Sequence, residues 1–342
     1  MAATTKTAGR TGQATVTTMR LRRAVKFVGS QNVSLLVALL GLSTLIGLKN
    51  ANFFLPSNLQ VIGTSVSILG IIAVGQTLVL LMGGLDISVG SQAGLASVAT
   101  AMVFMNTGSA GLGMVVALLC GIGSGVMNAV IIVYGRVNAV IATLATFAAI
   151  RGLANLVADG RAQGYTGTDS VFVFLARGAV LGIPVLIWIF ALISLSAHVV
   201  LRYTDVGRNV YAAGGNKIAA RLAGIDLNRY VIGAYLAMGL IAALAGILLT
   251  ARTGSGQPVS GSQGLELASI TAAALGGCAL AGGKGTIVGT VLAVLLLGVL
   301  TNGLQIVGAN SFFQDIAQGA LLVIAVVIQQ RRQGARGVGL PD

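Results

Sequence analysis

The sequence predicts an all-α polytopic membrane protein with about ten transmembrane helices. Three observations carry that expectation. Hydrophobic residues make up 56% of the 342-residue chain and charged residues only 8%, with a mean hydropathy of +0.93. A soluble domain carries roughly 25% charged residues, so this chain has too little polar surface to coat a soluble globule. Apolar runs of membrane-spanning length recur along the chain, and the basic residues gather between and beyond them.

Residues 1–31 are rich in Ala, Thr and Gly with scattered positive charge, and read as a disordered basic tail. The first apolar run starts near Val33, is about as long as a span, and has no small-residue cleavage site after it. It is therefore expected to be a span and not a signal peptide. A span needs about 20 apolar residues. On that measure the transmembrane domain covers 32–330, with spans near 32–48, 58–82, 88–105, 112–134, 137–157, 180–200, 230–251, 265–281, 285–304 and 312–329. A polar excursion follows the fifth span, from Ala158 to about Arg177. Residues 331–342 form a second basic tail. The glycine-rich breaks at 83–87 and 282–284 fit either loops or re-entrant segments. Two inverted five-helix halves, spans two to five against seven to ten, are the arrangement to test, because an odd number of spans per half forces opposite orientation.

Charge sets the expected orientation. Lys6, Arg10, Arg20, Arg22, Arg23 and Lys26 sit in the N-terminal tail, and Arg331, Arg332 and Arg336 in the C-terminal one. Between the sixth and seventh spans, the loop 201–229 carries Arg202, Arg208, Lys217, Arg221 and Arg229 against Asp205 and Asp226. With the N-terminus inside, this loop, Arg136 and the C-tail all fall in the cytoplasm, as the positive-inside rule asks. The net charge of +13 is thus spent on membrane flanks and anionic lipid headgroups. No aromatic-rich basic face exists for stacking bases, so nucleic acid is not an expected partner.

Catalytic and metal chemistry are poorly supported. Cys120 and Cys278 lie in apolar, glycine-rich sequence and read as small packing residues. His198 is the single histidine, at the end of a span. These give no metal spacing and no nucleophile–base set. The run GGCALAGGKGTIVGT from Gly276 to Thr290 suggests a nucleotide loop but fails its spacing: Gly285, and not Ser or Thr, follows Lys284, and no strand precedes it.

Three motifs remain. GGLDISVGS, Gly83 to Ser91, places Asp86 between apolar stretches. An intramembrane acid is costly and a functional candidate; the alternative is an interfacial acid capping the helix that opens at Ile87 or Ser88. In the basic loop, Asn216 can cap a helix beginning at Lys217, and Gly224 suits its C-terminus. The alternative there is a solvated connector. The glycines from Gly276 to Gly285 suit close helix crossing or a hinge. Gln76, Asn128, Asn155, Glu266 and Gln305 are the other polar residues within apolar spans, and each fits either a polar pathway or a helix–helix hydrogen bond.

These motifs carry a resemblance. GRNVYAAGGNKIAARLAGI resembles the cytoplasmic coupling loop of permease subunits from bacterial ABC sugar importers of the ribose, xylose, arabinose and galactose branch. Ala219, Ala220 and Gly224 keep the spacing of the wider import-permease signature. Ile218 stands where that signature has an acid, and its later proline is missing, so the match is to the sugar branch. The Gly83–Ser91 motif and the Gly276–Thr290 run followed by Asn302-Gly303-Leu304 are similar to the same permeases. The resemblance covers roughly 55–330.

It implies a monosaccharide permease of the bacterial inner membrane with both termini cytoplasmic. It also implies an ABC ATPase subunit that holds the ATP, an extracytoplasmic sugar-binding protein, and a second permease copy. The chain itself would bind no cofactor and no metal, and would not be an enzyme. Coupling to the ATPase would run through Gly207, Tyr211, Gly214, Asn216, Lys217, Ala219, Ala220, Arg221 and Gly224. Motif and translocation-path candidates are Gly83, Gly84, Asp86, Ser88, Gly90, Ser91, Glu266, Gly276, Gly277, Gly282, Gly283 and Asn302. The competing readings are a permease for branched-chain amino acids, which would take up leucine; an ion-coupled secondary transporter, which needs no ATPase; and a scaffold, which transports nothing.

Overall fold

The computed structural model describes residues 30–164 and 166–310 and part of 312–327. The two tails lie outside the described residues, apart from the end of the first. The last predicted span lies partly outside them, and what is described of it is helical.

The protein is a helical bundle. Helix α1 is Ser30–Lys49 and α2 is Pro56–Leu81. Helix α3 is Val89–Thr107, α4 Ala110–Val133 and α5 Ala139–Val157. The excursion after α5 contains a short helix α6, Ser170–Arg177, and a hairpin of two two-residue strands, Ala179–Val180 and Ile183–Pro184, that delays α7 to Val185–Tyr203. The basic loop folds into α8, Asp205–Gly215, and α9, Lys217–Leu222. Helix α10 is Leu227–Thr253, α11 Leu265–Leu275 and α12 Ile287–Ile306. Seven of these, α1, α2, α4, α5, α7, α10 and α12, are long and apolar enough to cross a membrane. The chain is therefore an all-α, multi-pass membrane protein.

Two predicted spans differ in the structure. Helix α3 has 19 residues but carries Ser91, Gln92, Ser97 and Thr100, all buried. The predicted span 265–281 is helical only to Leu275. Its 11 residues rise about 16 Å, roughly half the hydrocarbon thickness, before the glycines from 276 onward leave the helix.

The core is α10 against α2, α3 and α4. Apolar burial does not drive such packing in lipid; close backbone approach does. The glycines provide it. A Cβ on Gly125 would sit 2.6 Å from the Tyr235 carbonyl oxygen, and Gly121 and Gly239 face one another's backbones across α4 and α10. Hydroxyl and amide pairs join the helices further. Thr77 meets Thr290 at 2.8 Å, and Ser97 meets Thr250 at 2.8 Å. At the opposite end Asn58 and Asn302 exchange bonds of 3.1 and 2.9 Å. The ends of α2, α4, α7 and α11 and the starts of α3, α5, α10 and α12 gather at one end of the bundle with α8 and α9. This is the basic end.

Candidate functional site

At the basic end the chain leaves α2, turns through 82–88 and re-enters as α3. Gln76 pins this turn, its amide pairing with the Asp86 backbone N–H and carbonyl at 3.2 Å each. Since Gln76 is five residues before the end of α2, Asp86 lies about 8 Å inside the basic end. It is completely buried.

Neutral donors surround its carboxylate. One oxygen accepts from the Ser88 backbone N–H at 2.8 Å and the Ser88 hydroxyl at 2.5 Å. The other accepts from the amides of Gln92, at 3.2 Å, and Asn128 of α4, at 3.3 Å. Both amides also donate to the Ser88 hydroxyl oxygen, at 2.7 and 2.9 Å. Thr146 of α5 donates to the Asn128 carbonyl at 2.6 Å. Just before Asp86, the Leu85 carbonyl accepts from Tyr235 of α10 and Thr143 of α5, at 3.2 Å each. Asp86 is not itself the cap of α3, which begins at Val89 with Ser88 as its N-cap residue and no side-chain cap bond. It holds Ser88 from two residues upstream, inside the protein, and ties the start of α3 to α4 and, through Asn128 and Thr146, to α5. Every carboxylate oxygen of Asp86 is satisfied, while Gln92 Oε1 is the one buried side-chain atom of the network without a partner among the described residues.

Below this cluster three Gly-Gly pairs converge from three parts of the chain. The Gly283 N–H donates to the Leu81 carbonyl at 2.9 Å, joining the break after α11 to the break after α2. The end of α8 lies flush against both. A Cβ on Gly214 would collide with the Leu81 carbonyl oxygen and approach the Gly283 nitrogen to 2.7 Å. On Gly282, at φ +94°, it would lie 2.8 Å from the Gly83 nitrogen and 2.9 Å from the Gly214 oxygen. These are contacts of backbone with backbone, which no rotamer change can relieve. Tyr211 of α8 adds a bond from its hydroxyl to the Gly285 carbonyl at 2.9 Å.

The rest of the basic loop forms the joint that holds α8. Gly207 packs on the Leu201 backbone where α7 turns into α8. Asn216 caps α9 as the sequence predicts, accepting from Ile218 and Ala219 at 3.1 and 3.0 Å. Gly224, at φ +80°, closes that helix. Ala220 is buried, whereas Lys217 and Arg221 line an open groove of about 780 Å³ with Arg136 and Asn138. An exposed basic groove thus lies beside a helix seated closely on the breaks after α2 and α11.

Comparison with known proteins decides the family. Residues 58–326 match the family described as the permease component of the branched-chain amino acid transport system. The chain belongs to this permease family. The ribose import permease protein RbsC of Escherichia coli (strain K12) is 40% identical over 300 residues, covering 87% of this chain and 93% of that protein. RbsC of Bacillus subtilis (strain 168) is 37% identical over 288 residues, covering 84% and 89%. The L-arabinose transport system permease protein AraH of Escherichia coli (strain K12) is 36% identical over 285 residues, covering 83% and 86%. No solved structure gives a significant match.

The other predicted residues of the permease fall into separate places. Ser91 is buried beside Ser88, to whose carbonyl it donates at 2.7 Å. Gly90 abuts Glu266 and the Ser262 carbonyl. Gly276 packs on the start of α12, and Gly277 takes φ +97° beside Gln31. Asn302 belongs to the opposite end and is not part of this site. Cys278 is buried as expected, whereas Cys120 is only half-buried. Gln92 and Thr146 complete the Asp86 network without any signal in the sequence. Arg151, inside α5, had one: a cation within an apolar span.

Proposed function

We propose that this permease is the membrane subunit of an ATP-driven monosaccharide importer, moving a pentose or hexose across the bacterial inner membrane by alternating access. The observation that carries the reading is 36–40% identity over more than four fifths of the chain to ribose and arabinose permeases. The family description names amino acid transport, but these relatives are sugar permeases. Both termini and the basic end face the cytoplasm, in keeping with the positive charge of 201–229. A separate ATPase pair holds the ATP and docks at α8, α9 and the Arg136–Lys217–Arg221 groove. A binding protein delivers sugar at the opposite end, and a second permease copy completes the path. The chain holds no cofactor of its own. ATP binding moves α8, and the glycine junction passes that motion to the breaks after α2 and α11.

Reconstitution with the ATPase and the binding protein tests this. Loaded binding protein is expected to stimulate ATP hydrolysis and sugar uptake. Lys217→Glu combined with Ala220→Pro is expected to abolish ATPase co-purification. Proline at 220 removes the N–H that bonds Asn216 at 2.9 Å and breaks α9, while glutamate reverses charge in the groove. Uptake of leucine instead of sugar would transfer the protein to the amino acid branch. Uptake driven by an ion gradient without an ATPase would overturn both.

A further inference from the structure

A second polar cluster lies deeper than Asp86, at the junction of α3, α5 and the irregular segment 254–264. Arg151 is twelve residues into α5, about 18 Å from the basic end, and about 9 Å from the helix's other end. An arginine at that depth is costly and marks a functional position by default. Its Nη1 donates to the Pro258 carbonyl at 2.6 Å and the Ser262 hydroxyl at 2.9 Å, and its guanidinium lies over the Phe147 ring at 5.5 Å. Glu266, in the first turn of α11, is 8% exposed, and its Oε2 lies against Gly90 together with the Ser262 carbonyl. One of its oxygens accepts from the Gly264 N–H at 3.1 Å.

The remaining valences are open. Among the described residues, Arg151 Nη2 and Glu266 Oε2 are both buried without a hydrogen-bond partner. No direct ion pair joins the two groups; the described ion pair is Arg208 with Asp205, at the surface. A buried charged group with an unused donor or acceptor is expensive, and here a donor and an acceptor are left over together. Gly90 and Gly94 of α3 let the segment 254–264 and Glu266 pack directly on the helix backbone, since a Cβ on Gly94 would lie 2.5 Å from the Pro258 oxygen. Gly261 and Gly264, both at positive φ, turn the chain so that Ser262 faces inward while Gln263 is exposed. Arg151 is half-exposed, and Gln263 and Leu267, which flank Ser262 and Glu266 in sequence, are exposed, so the cluster reaches the bundle surface.

We infer that Arg151, Ser262 and Glu266 form a hydroxyl-binding subsite for the sugar on its way through the membrane. A sugar hydroxyl both donates and accepts, so one diol can take the spare guanidinium N–H and supply the spare carboxylate oxygen with its proton. Arg151 keeps its Nη1 hold on 254–264 while its Nη2 takes the substrate. The inference rests on the sugar-import reading above.

The test uses the complete transporter in liposomes, with saturating loaded binding protein. Initial uptake is measured for ribose or arabinose, whichever the wild type carries, and for its 2-deoxy analogue. Arg151→Met and Glu266→Gln are each expected to slow uptake of the full sugar about tenfold, the worth of one hydrogen bond to a charged group. The preference of the wild type for the full sugar should collapse towards one. Ser262→Ala, which leaves the charges in place, should shift the same ratio to a smaller extent and serves where a charge variant does not assemble. Unchanged uptake, or equal loss for both sugars with the ratio kept, overturns the subsite. If the wild type takes up neither pentose nor hexose, the sugar-import reading itself fails.

Discussion

Gly214→Ala is expected to abolish transport, with uptake at least tenfold down, while Gly215→Ala changes it less than twofold. The two glycines are adjacent at the end of α8, and one methyl group distinguishes the outcomes. At Gly214 the new Cβ collides with the Leu81 carbonyl and crowds the Gly283 nitrogen; at Gly215 it meets nothing within 4 Å. The Leu81 carbonyl cannot retreat freely, because it holds the Gly283 N–H at 2.9 Å. Helix α8 must therefore lift from the junction, and overpacking of this kind costs about 1–3 kcal/mol. On the proposed mechanism a lifted α8 would no longer push on the breaks after α2 and α11. ATP hydrolysis by the associated ATPase should persist but lose its response to loaded binding protein. The measurement pairs uptake with ATPase rate and with elution of the purified permease as a homogeneous species. Normal uptake in Gly214→Ala would exclude the junction as the transmission route.

The second large effect is at Asp86. Asp86→Ala leaves the Ser88 backbone N–H and hydroxyl without their acceptor inside the membrane, at a cost of about 3 kcal/mol, and the variant should accumulate poorly or unfold early in detergent. Asp86→Asn keeps one oxygen for Ser88 and should cost about 1 kcal/mol. Its new NH₂ group, however, faces the amide donors of Gln92 and Asn128. Adding Asn128→Asp returns a carboxylate to the same place and should restore part of the loss, since Thr146 already donates to that side chain at 2.6 Å. Unfolding in a denaturant or temperature series, read on all three variants, checks the order. Equal stability of Asp86→Ala and wild type would show that the network does not hold α3 to α4 and α5. The double variant gaining nothing over Asp86→Asn would show that the position of the carboxylate matters beyond its hydrogen bonds.

The motifs of the candidate site were legible before the fold was known. The Asn216 cap, the helix beginning at Lys217 and its glycine terminus were readable because capping is local: a side chain bonds an N–H two or three residues away. The acid of GGLDISVGS was conspicuous because charge is rare in apolar sequence. Helix α8 was not readable as a helix, because Gly207, Gly214 and Gly215 lower its propensity and its seat on the Leu81 carbonyl is 133 residues distant in sequence. The end of α11 at Leu275 was missed for a related reason. The run from Ala272 to Ala281 is apolar throughout, and hydropathy cannot tell a helix from an apolar turn once backbone groups find partners elsewhere, as the Gly283 N–H does.

Composition and charge by themselves determined the membrane class and the basic end, because each depends on transfer of side chains between water and hydrocarbon, which is additive along a chain. The tertiary structure alone decided that three Gly-Gly pairs meet, that Asn128 and Gln92 complete the Asp86 site, and that Arg151 and Glu266 share a cluster with spare hydrogen-bonding valences. Those depend on which backbones come within van der Waals reach of one another. Glycine permits that approach wherever it occurs, but only the packed bundle selects which glycines use it.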